Sequence, residues 1–266
     1  MLARKNLVKL PFFHFSSRLY RFFLIVCFLA ISGCSSTPVA KGGDPRDPIE
    51  PINRVFWNFT WDYTDKYISK PAAIAYTTHT PVLLRSGLYN MANNLNEPSS
   101  IINNLFQAKF SNAAKSTGRF LLNSTIGLFG FFDPASDFGW VGEQEEFGEV
   151  LGTYGVGDGY YFVVPGIGPT SVREEVGDYV DKYYWPLAVI DLWPNLARWA
   201  ILGLEKRAAV VDQDPLIQES FDSYEFVKNA YFQNMNYKLY DGNPPVEVNK
   251  AEEAAIDAFM DEFDNE

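Results

Sequence analysis

Cys34 closes the run Ile31-Ser32-Gly33-Cys34, a setting in which a thiol is alkylated by diacylglycerol, the chain is cut ahead of the cysteine, and the freed amine is acylated. The residues before it fit that chemistry. Arg4, Lys5, Lys9, Arg18 and Arg21 precede an apolar run from Phe22 to Ile31, and no acid occurs before Asp44. A basic start, a short apolar stretch and small residues at the cut are the signature of a secretory signal. An apolar run this short is not a membrane span. Residues 1–33 therefore read as a removable lipoprotein signal and Cys34 as the lipidation site. An ordinary secreted chain with a cysteine there by chance is the alternative.

Other chemistry is scarce. Of the two cysteines, Cys27 leaves with the signal and Cys34 carries lipid, so no disulfide and no thiol nucleophile is expected. His14 also leaves, so a Ser-His-Asp triad could be built only around His79, which reads as a solvated loop residue. No zinc site or other metal site is expected. Gly155-Val156-Gly157-Asp158-Gly159 lacks the spacing of a dinucleotide loop and is followed by Tyr-Tyr-Phe-Val-Val-Pro rather than a helix start. It reads as backbone that must bend, and no cofactor is expected. Asp133, Asp137, Glu143, Glu145, Glu146 and Glu149 lack calcium-loop spacing and read as a solvated acidic surface.

Charge narrows the partners. Removing the signal takes five of 22 basic residues and none of 33 acids, leaving a net charge of about −16. Such a chain repels nucleic acid and gains nothing from anionic headgroups. Its many Tyr and Trp suit a large core or a membrane–water interface equally well.

The elements that must hold these residues are mostly helical. Residues 34–46 read as a tether from the lipid. Asp47 to Pro51 opens a helix carrying Val55, Phe56, Phe59 and Tyr63. Helices are predicted over Val82–Leu95, from Pro98 with Ile101, Ile102, Leu105 and Phe106 on one side, and over Ala113–Leu122. Phe120 to Phe132 is an uncharged run, too short to span a bilayer, that fits either a buried hairpin or a turn dipping into a membrane. A short helix is predicted over Val172–Lys182, and an apolar one over Leu196–Val211, of the kind buried in protein or in lipid. A long amphipathic helix is predicted over Asp214–Leu239, ended by Asp241 to Pro245. The acidic residues beyond carry Ile256, Phe259 and Phe263 at helical spacing. They read as a helix that forms on a partner or as a solvated tail. Two-residue alternation is too sparse for a membrane β-barrel.

Five blocks in order resemble the MlaA (VacJ) family of outer-membrane lipoproteins. They are Asp47-Pro48-Ile49-Glu50-Pro51-Ile52-Asn53-Arg54; Asn94-Leu95-Asn96-Glu97-Pro98; Arg119 to Gly130 with Asp133-Pro134-Ala135; Phe147-Gly148 through Leu151-Gly152 and Tyr154 to Gly157; and Pro165 through Gly168 to Arg173-Glu174. The resemblance covers residues 47–242. It implies a mainly α, single ring-shaped helical domain embedded in one membrane leaflet, with a central amphiphilic channel and an acidic tail at 243–266. It also implies partners: phospholipid, an outer-membrane porin trimer, and a soluble periplasmic carrier that receives phospholipids removed from the outer leaflet. An enzyme is not implied.

On this reading the candidate channel or headgroup contacts are Asn123, Ser124, Thr125, Tyr154, Asp158 and Arg173. Arg173 is the best fit to a phosphate, though an ion pair with Glu174 or Asp178 would equally occupy it. Leu128, Phe129, Phe131 and Phe132 are the candidate membrane-inserted residues. A membrane-surface lipid hydrolase and a structural surface lipoprotein are the rival functions. The hydrolase needs a nucleophile–base pair, and the structural lipoprotein leaves the apolar, glycine-rich middle unexplained.

Overall fold

The computed structural model describes residues 44–142 and 144–245. The signal, Cys34, most of the tether and nearly all of the acidic tail lie outside the described residues. The chain divides into a unit ending at Pro48 and a second from Ile49 onward, which holds the helices.

Helix α1 (Glu50–Phe59) starts at Pro51, whose missing N–H costs nothing in the first turn. It runs directly into a π-helical stretch, Thr60–Ser69, and on into α2 (Lys70–His79). At the end of that stretch the Lys70 amide donates to Asp65 O, five residues back rather than four. Helices α3 (Val82–Asn94), α4 (Glu97–Phe106) and α5 (Phe110–Thr125) follow, then a single turn, α6 (Pro134–Asp137), capped by the Asp133 carboxylate. Next come α7 (Phe147–Thr153) and an antiparallel hairpin, β1 (Tyr161–Val164) and β2 (Gly168–Ser171), with Tyr161 opposite Ser171. The chain then forms α8 (Val172–Asp181), α9 (Leu192–Ala209), α10 (Asp214–Gln218) and α11 (Ser223–Leu239). The architecture is that of a mainly α domain. No helix among the described residues is long and apolar enough to cross a membrane.

Three expectations need correction. The hairpin was not legible as strands, because four residues a side is too short for an alternation signal. It is held by the buried carboxamide of Asn53, which donates to Tyr161 O (3.1 Å) and accepts from Val163 N (3.0 Å), filling the place of a third strand. The long helix from Asp214 is broken at 219–222. There the Ser220 hydroxyl turns back to Ile217 O (2.6 Å), and the Asp222 carboxylate captures the amides of Tyr224 and Glu225 to start α11 afresh. The run Phe120–Phe132 is not a hairpin: it is the last turns of α5 followed by an irregular tip, with Leu128, Phe129 and Gly130 all at positive φ.

The hydrophobic core is small. Trp57, Tyr161, Val163, Tyr224 and Phe232 cluster where α1, the hairpin and α11 meet. Elsewhere the inward faces are polar. In α4 the buried residues are Glu97, Ser99, Ser100, Asn103 and Asn104, while Leu105 and Phe106 are exposed. The sequence-predicted stripe of Ile and Leu therefore lies on the outer side. Helix α9 repeats the inversion. Arg198 donates to Ala92 O and Asn96, Glu205 takes both ends of Arg85, and Arg207 grips Asp65 with two bonds (2.6 and 2.8 Å). Its Leu192, Trp193, Leu196 and Trp199 are exposed, Trp193 by 79%.

Candidate functional site

The densest polar arrangement surrounds Arg119, on the buried face of α5. Its Nε donates to Glu97 Oε1 (2.9 Å), Nη1 to Ser136 Oγ (3.2 Å) and to the Trp140 carbonyl, and Nη2 to Asp133 Oδ2 (3.1 Å). Asn123, one turn further along α5, donates to Asp133 Oδ1 (2.8 Å) and accepts from Ala135 N (3.2 Å). The local sequence explains the placement. Arg119 and Asn123 are four apart and share a helix face, Glu97 opens α4 beside Pro98, and Asp133-Pro134 starts the turn that brings Asp133 back across both.

The two carboxylates respond differently. Burial pushes the Glu97 carboxyl above its ordinary range and outweighs Arg119. Burial acts in the same sense on Asp133, but hydrogen bonds from Ser136, Asn123 and Arg119 together carry it below its ordinary range. Asp133 is therefore the firmly ionised member.

A cavity of about 380 Å³ opens beside this network. Tyr89, Asn90, Asn93, Asn94 and Glu97 form one wall, Arg119, Asn123, Asp133 and Ser136 another, and Val141, Gly142 and Gln144 a third. Its size is within the range of small-molecule sites. Its lining is more polar than such sites usually are.

The sequence-predicted residues fall into separate places. Asn123 lines the cavity. Ser124 joins it through Asn94, whose Nδ2 donates to Ser124 Oγ (2.9 Å). Thr125 is exposed and donates to Leu121 O within its own helix. Tyr154, Asp158 and Arg173 lie outside the cavity lining. Tyr154 is exposed, with its hydroxyl donating to Phe106 O (2.6 Å). Arg173 is buried, paired with Asp158 at 2.6 Å and donating to Val156 O (3.1 Å). The ion pair is with Asp158, not with Glu174 or Asp178. A phosphate reaching Arg173 would have to displace that carboxylate.

The apolar tip follows α5 directly. Leu128 and Phe129 are 60% and 78% exposed, and Phe132 is also exposed. Phe131 is half-buried. Its ring covers Gly87 of α3, where a β-carbon would come within 2.3 Å of it. Positive φ at Leu128 and Phe129 is uncommon for such side chains.

The acidic stretch read as solvated surface is not one. Glu145 and Glu149 are buried. Lys238 of α11 reaches Glu146 (2.5 Å) and Glu149 (3.5 Å), with Glu174 at 4.0 Å. Lys109 bridges Glu145 and Asp241. The basic partners come from distant parts of the chain, which is why the run of acids looked unpaired. His79 is exposed, and its ring contacts Ala75 O (2.9 Å) within α2.

The sequence reading passed over Arg119, Glu97, Asn94 and Asp133 as site residues. The signal for them was present in the blocks Asn94–Pro98, Arg119–Asn123 and Asp133–Ala135, where charged and amide residues interrupt apolar runs.

Comparison with known proteins agrees with this geometry. Residues 45–238 match the family model of the MlaA lipoprotein. The chain is 34% identical over 233 residues to the intermembrane phospholipid transport system lipoprotein MlaA of Escherichia coli (strain K12), covering 86% of this chain and 92% of that protein. It is 33% identical over 242 residues to the protein of the same name from Haemophilus influenzae, covering 89% and 95%. A solved structure described under "Structural basis for maintenance of bacterial outer membrane lipid asymmetry" superposes with a TM-score of 0.69 at 34% identity, covering 74% of this chain and 99% of that one.

Proposed function

The chain belongs to the MlaA lipoprotein family, and from that premise we propose that it is an outer-membrane lipoprotein that removes phospholipids misplaced in the outer leaflet and passes them toward the periplasm, maintaining lipid asymmetry. Cys34 carries the anchor, residues 34–46 the tether, and residues 47–242 the working domain, a ring set in one leaflet around an amphiphilic channel. A porin trimer holds it in the membrane. A soluble periplasmic carrier receives the lipid, with the acidic residues 243–266 on the periplasmic side.

The observation that carries this reading is the inversion of the helices. Arg119, Glu97, Asn103, Asn104 and Asn123 are buried, while Phe59, Tyr63, Val82, Phe110, Phe129, Trp193 and Trp199 are exposed. A water-facing domain with that much contiguous apolar surface would aggregate. In hydrocarbon the cost reverses: apolar side chains face lipid freely, and polar groups must be satisfied within the protein. The tip at 128–132 is the part set deepest, and the exposed Trp and Tyr side chains suit the headgroup level. The cavity at Arg119 supplies polar wall to the lipid path, with Asn123 and Ser124 beside it. Thr125, Tyr154, Asp158 and Arg173 are further candidates along the path, the last through its pair with Asp158.

Transport rather than chemistry is the proposed role. Passing a lipid needs an apolar exterior and a polar interior, and this fold has both. The test is reconstitution of the lipidated chain in vesicles with phospholipid added to one leaflet. Lipid removed intact is expected. Hydrolysed lipid would instead point to an enzyme, and no lipid movement with or without a porin would overturn the proposal.

A further inference from the structure

We propose that the cavity beside Arg119 receives the primary ammonium end of a zwitterionic phospholipid, and not its phosphate. The inference rests on the transport reading above and adds a headgroup preference to it.

The argument begins with a count of charge. The cavity lining carries two carboxylates, Glu97 and Asp133, against the single guanidinium of Arg119. That guanidinium is already committed to Glu97, Ser136, Trp140 and Asp133 through all three of its nitrogens. A phosphate entering here would compete with two carboxylates for a cation they already hold. A primary ammonium meets the opposite situation. It carries three donors and no acceptor, and the walls offer carboxylate and carboxamide oxygens from Asp133, Asn90, Asn93 and Gln144.

Accessibility points the same way. The Asp133 side chain is 23% exposed and that of Arg119 only 10%, so the acid is the more open partner of the pair. The hydrogen bonds that hold Asp133 below its ordinary range keep it ionised for an incoming cation. Tyr89 is the one aromatic residue in the lining. A quaternary ammonium, which has no N–H and is usually held by several aromatic rings, therefore fits poorly.

Asn90 provides a test that leaves the Arg119 network untouched. It lines the cavity, is half-buried, and its side chain forms no hydrogen bond among the described residues. The lipidated full chain is reconstituted with vesicles holding acyl-matched labelled phosphatidylethanolamine, phosphatidylglycerol and phosphatidylcholine in equal amounts, and the ratio of lipids removed is measured. Wild type should favour phosphatidylethanolamine over both others. Asn90→Lys places a competing ammonium in the cavity and should lower that preference by about fivefold, as expected for one partly screened charge pair. Asn90→Asp should raise it. Identical ratios in both variants, or a preference raised by lysine, would overturn the proposal. Free ethanolamine in excess should leave the preference intact, and loss of preference to the free amine would overturn its assignment to lipid. Failure of wild type to remove any of the three lipids would instead sink the transport reading.

Discussion

Gly177 of α8 meets the backbone of Gly148 of α7, so that a β-carbon at 177 would lie 2.3 Å from the Gly148 amide nitrogen. The two helices cross with no side chain between them. This close approach brings Glu174 and Glu149 to the same lysine, Lys238. Gly177→Ala should therefore cost about 1–3 kcal/mol, because backbone rather than a flexible side chain must yield. Gly148→Ala would meet only Glu174 Oε2 at 3.1 Å and should cost less. Thermal unfolding of the two variants in the same detergent measures the difference, and equal losses would contradict the crossing geometry.

The Arg119 network should be intolerant of a missing centre. Arg119→Ala leaves Glu97 and Asp133 facing each other without their cation. Removing one partner of a buried pair typically costs about 3–5 kcal/mol. Glu97→Gln keeps an acceptor for Arg119 Nε and should cost far less. Denaturant unfolding of both variants checks the order.

The tip tests the membrane reading. Leu128 is exposed, so Leu128→Asp should leave unfolding in detergent nearly unchanged. The same change should abolish lipid removal or membrane integration, because an unpaired charge in hydrocarbon is expensive. Leu128→Gly is the complementary variant. Leu128 has φ 52°, and glycine there relieves about 1–2 kcal/mol of strain. It should raise the melting temperature while making the tip shallower, as read by depth-dependent quenching of a probe at 129.

Stability should fall as pH rises across the neutral range. Burial, with the Glu145 hydrogen bond next, pushes the Glu149 carboxyl up to about 9. Burial and then Glu146 push Glu174 up to about 7. Burial outweighs the bonds from Asn103 and Phe147 and takes Asp181 to about 6. The unfolded groups titrate near 4.5 and 3.8. Between about pH 4.5 and 7 the folded chain thus holds protons that the unfolded chain has released, and stability declines with pH. Asp133 and Glu146 are shifted downward and act only below that window. Glu149→Gln should flatten the decline. A slope unchanged by that substitution would place its origin elsewhere.

The sequence made some of this legible and concealed the rest for identifiable reasons. Proline at helix starts and 3.6-residue spacing located α1, α3, α4, α5 and α8 to within a few residues. The direction each helix faces was not legible, because periodicity reports that Ile101, Ile102, Leu105 and Phe106 share a side without saying what that side touches. The Asn and Ser side of α4 turned out to be the inner one. Long-range polar pairing was equally hidden. Arg173 finds Asp158 rather than a neighbour on its own helix, and Lys238 reaches Glu146 across 92 positions. Of the site, Asn123 was identified directly. Arg119 and Asp133 were quoted within blocks, but nothing local showed that the turn at Pro134 folds them onto one cavity.

The π-helical stretch at Thr60–Ser69 makes chain length itself a setting. Its bonds reach back five residues, so it spends more residues per turn than the helices on either side. Deleting a single residue there would let it relax to ordinary helical winding. Everything before it would then rotate by about 100°, the angle one residue subtends. Asn53 would swing away from the hairpin, and Asp65 would lose its alignment with Arg207, though neither residue had been altered. A one-codon deletion in this stretch should therefore be more damaging than most substitutions within it, because it changes the phase between two halves of the domain and not any single contact.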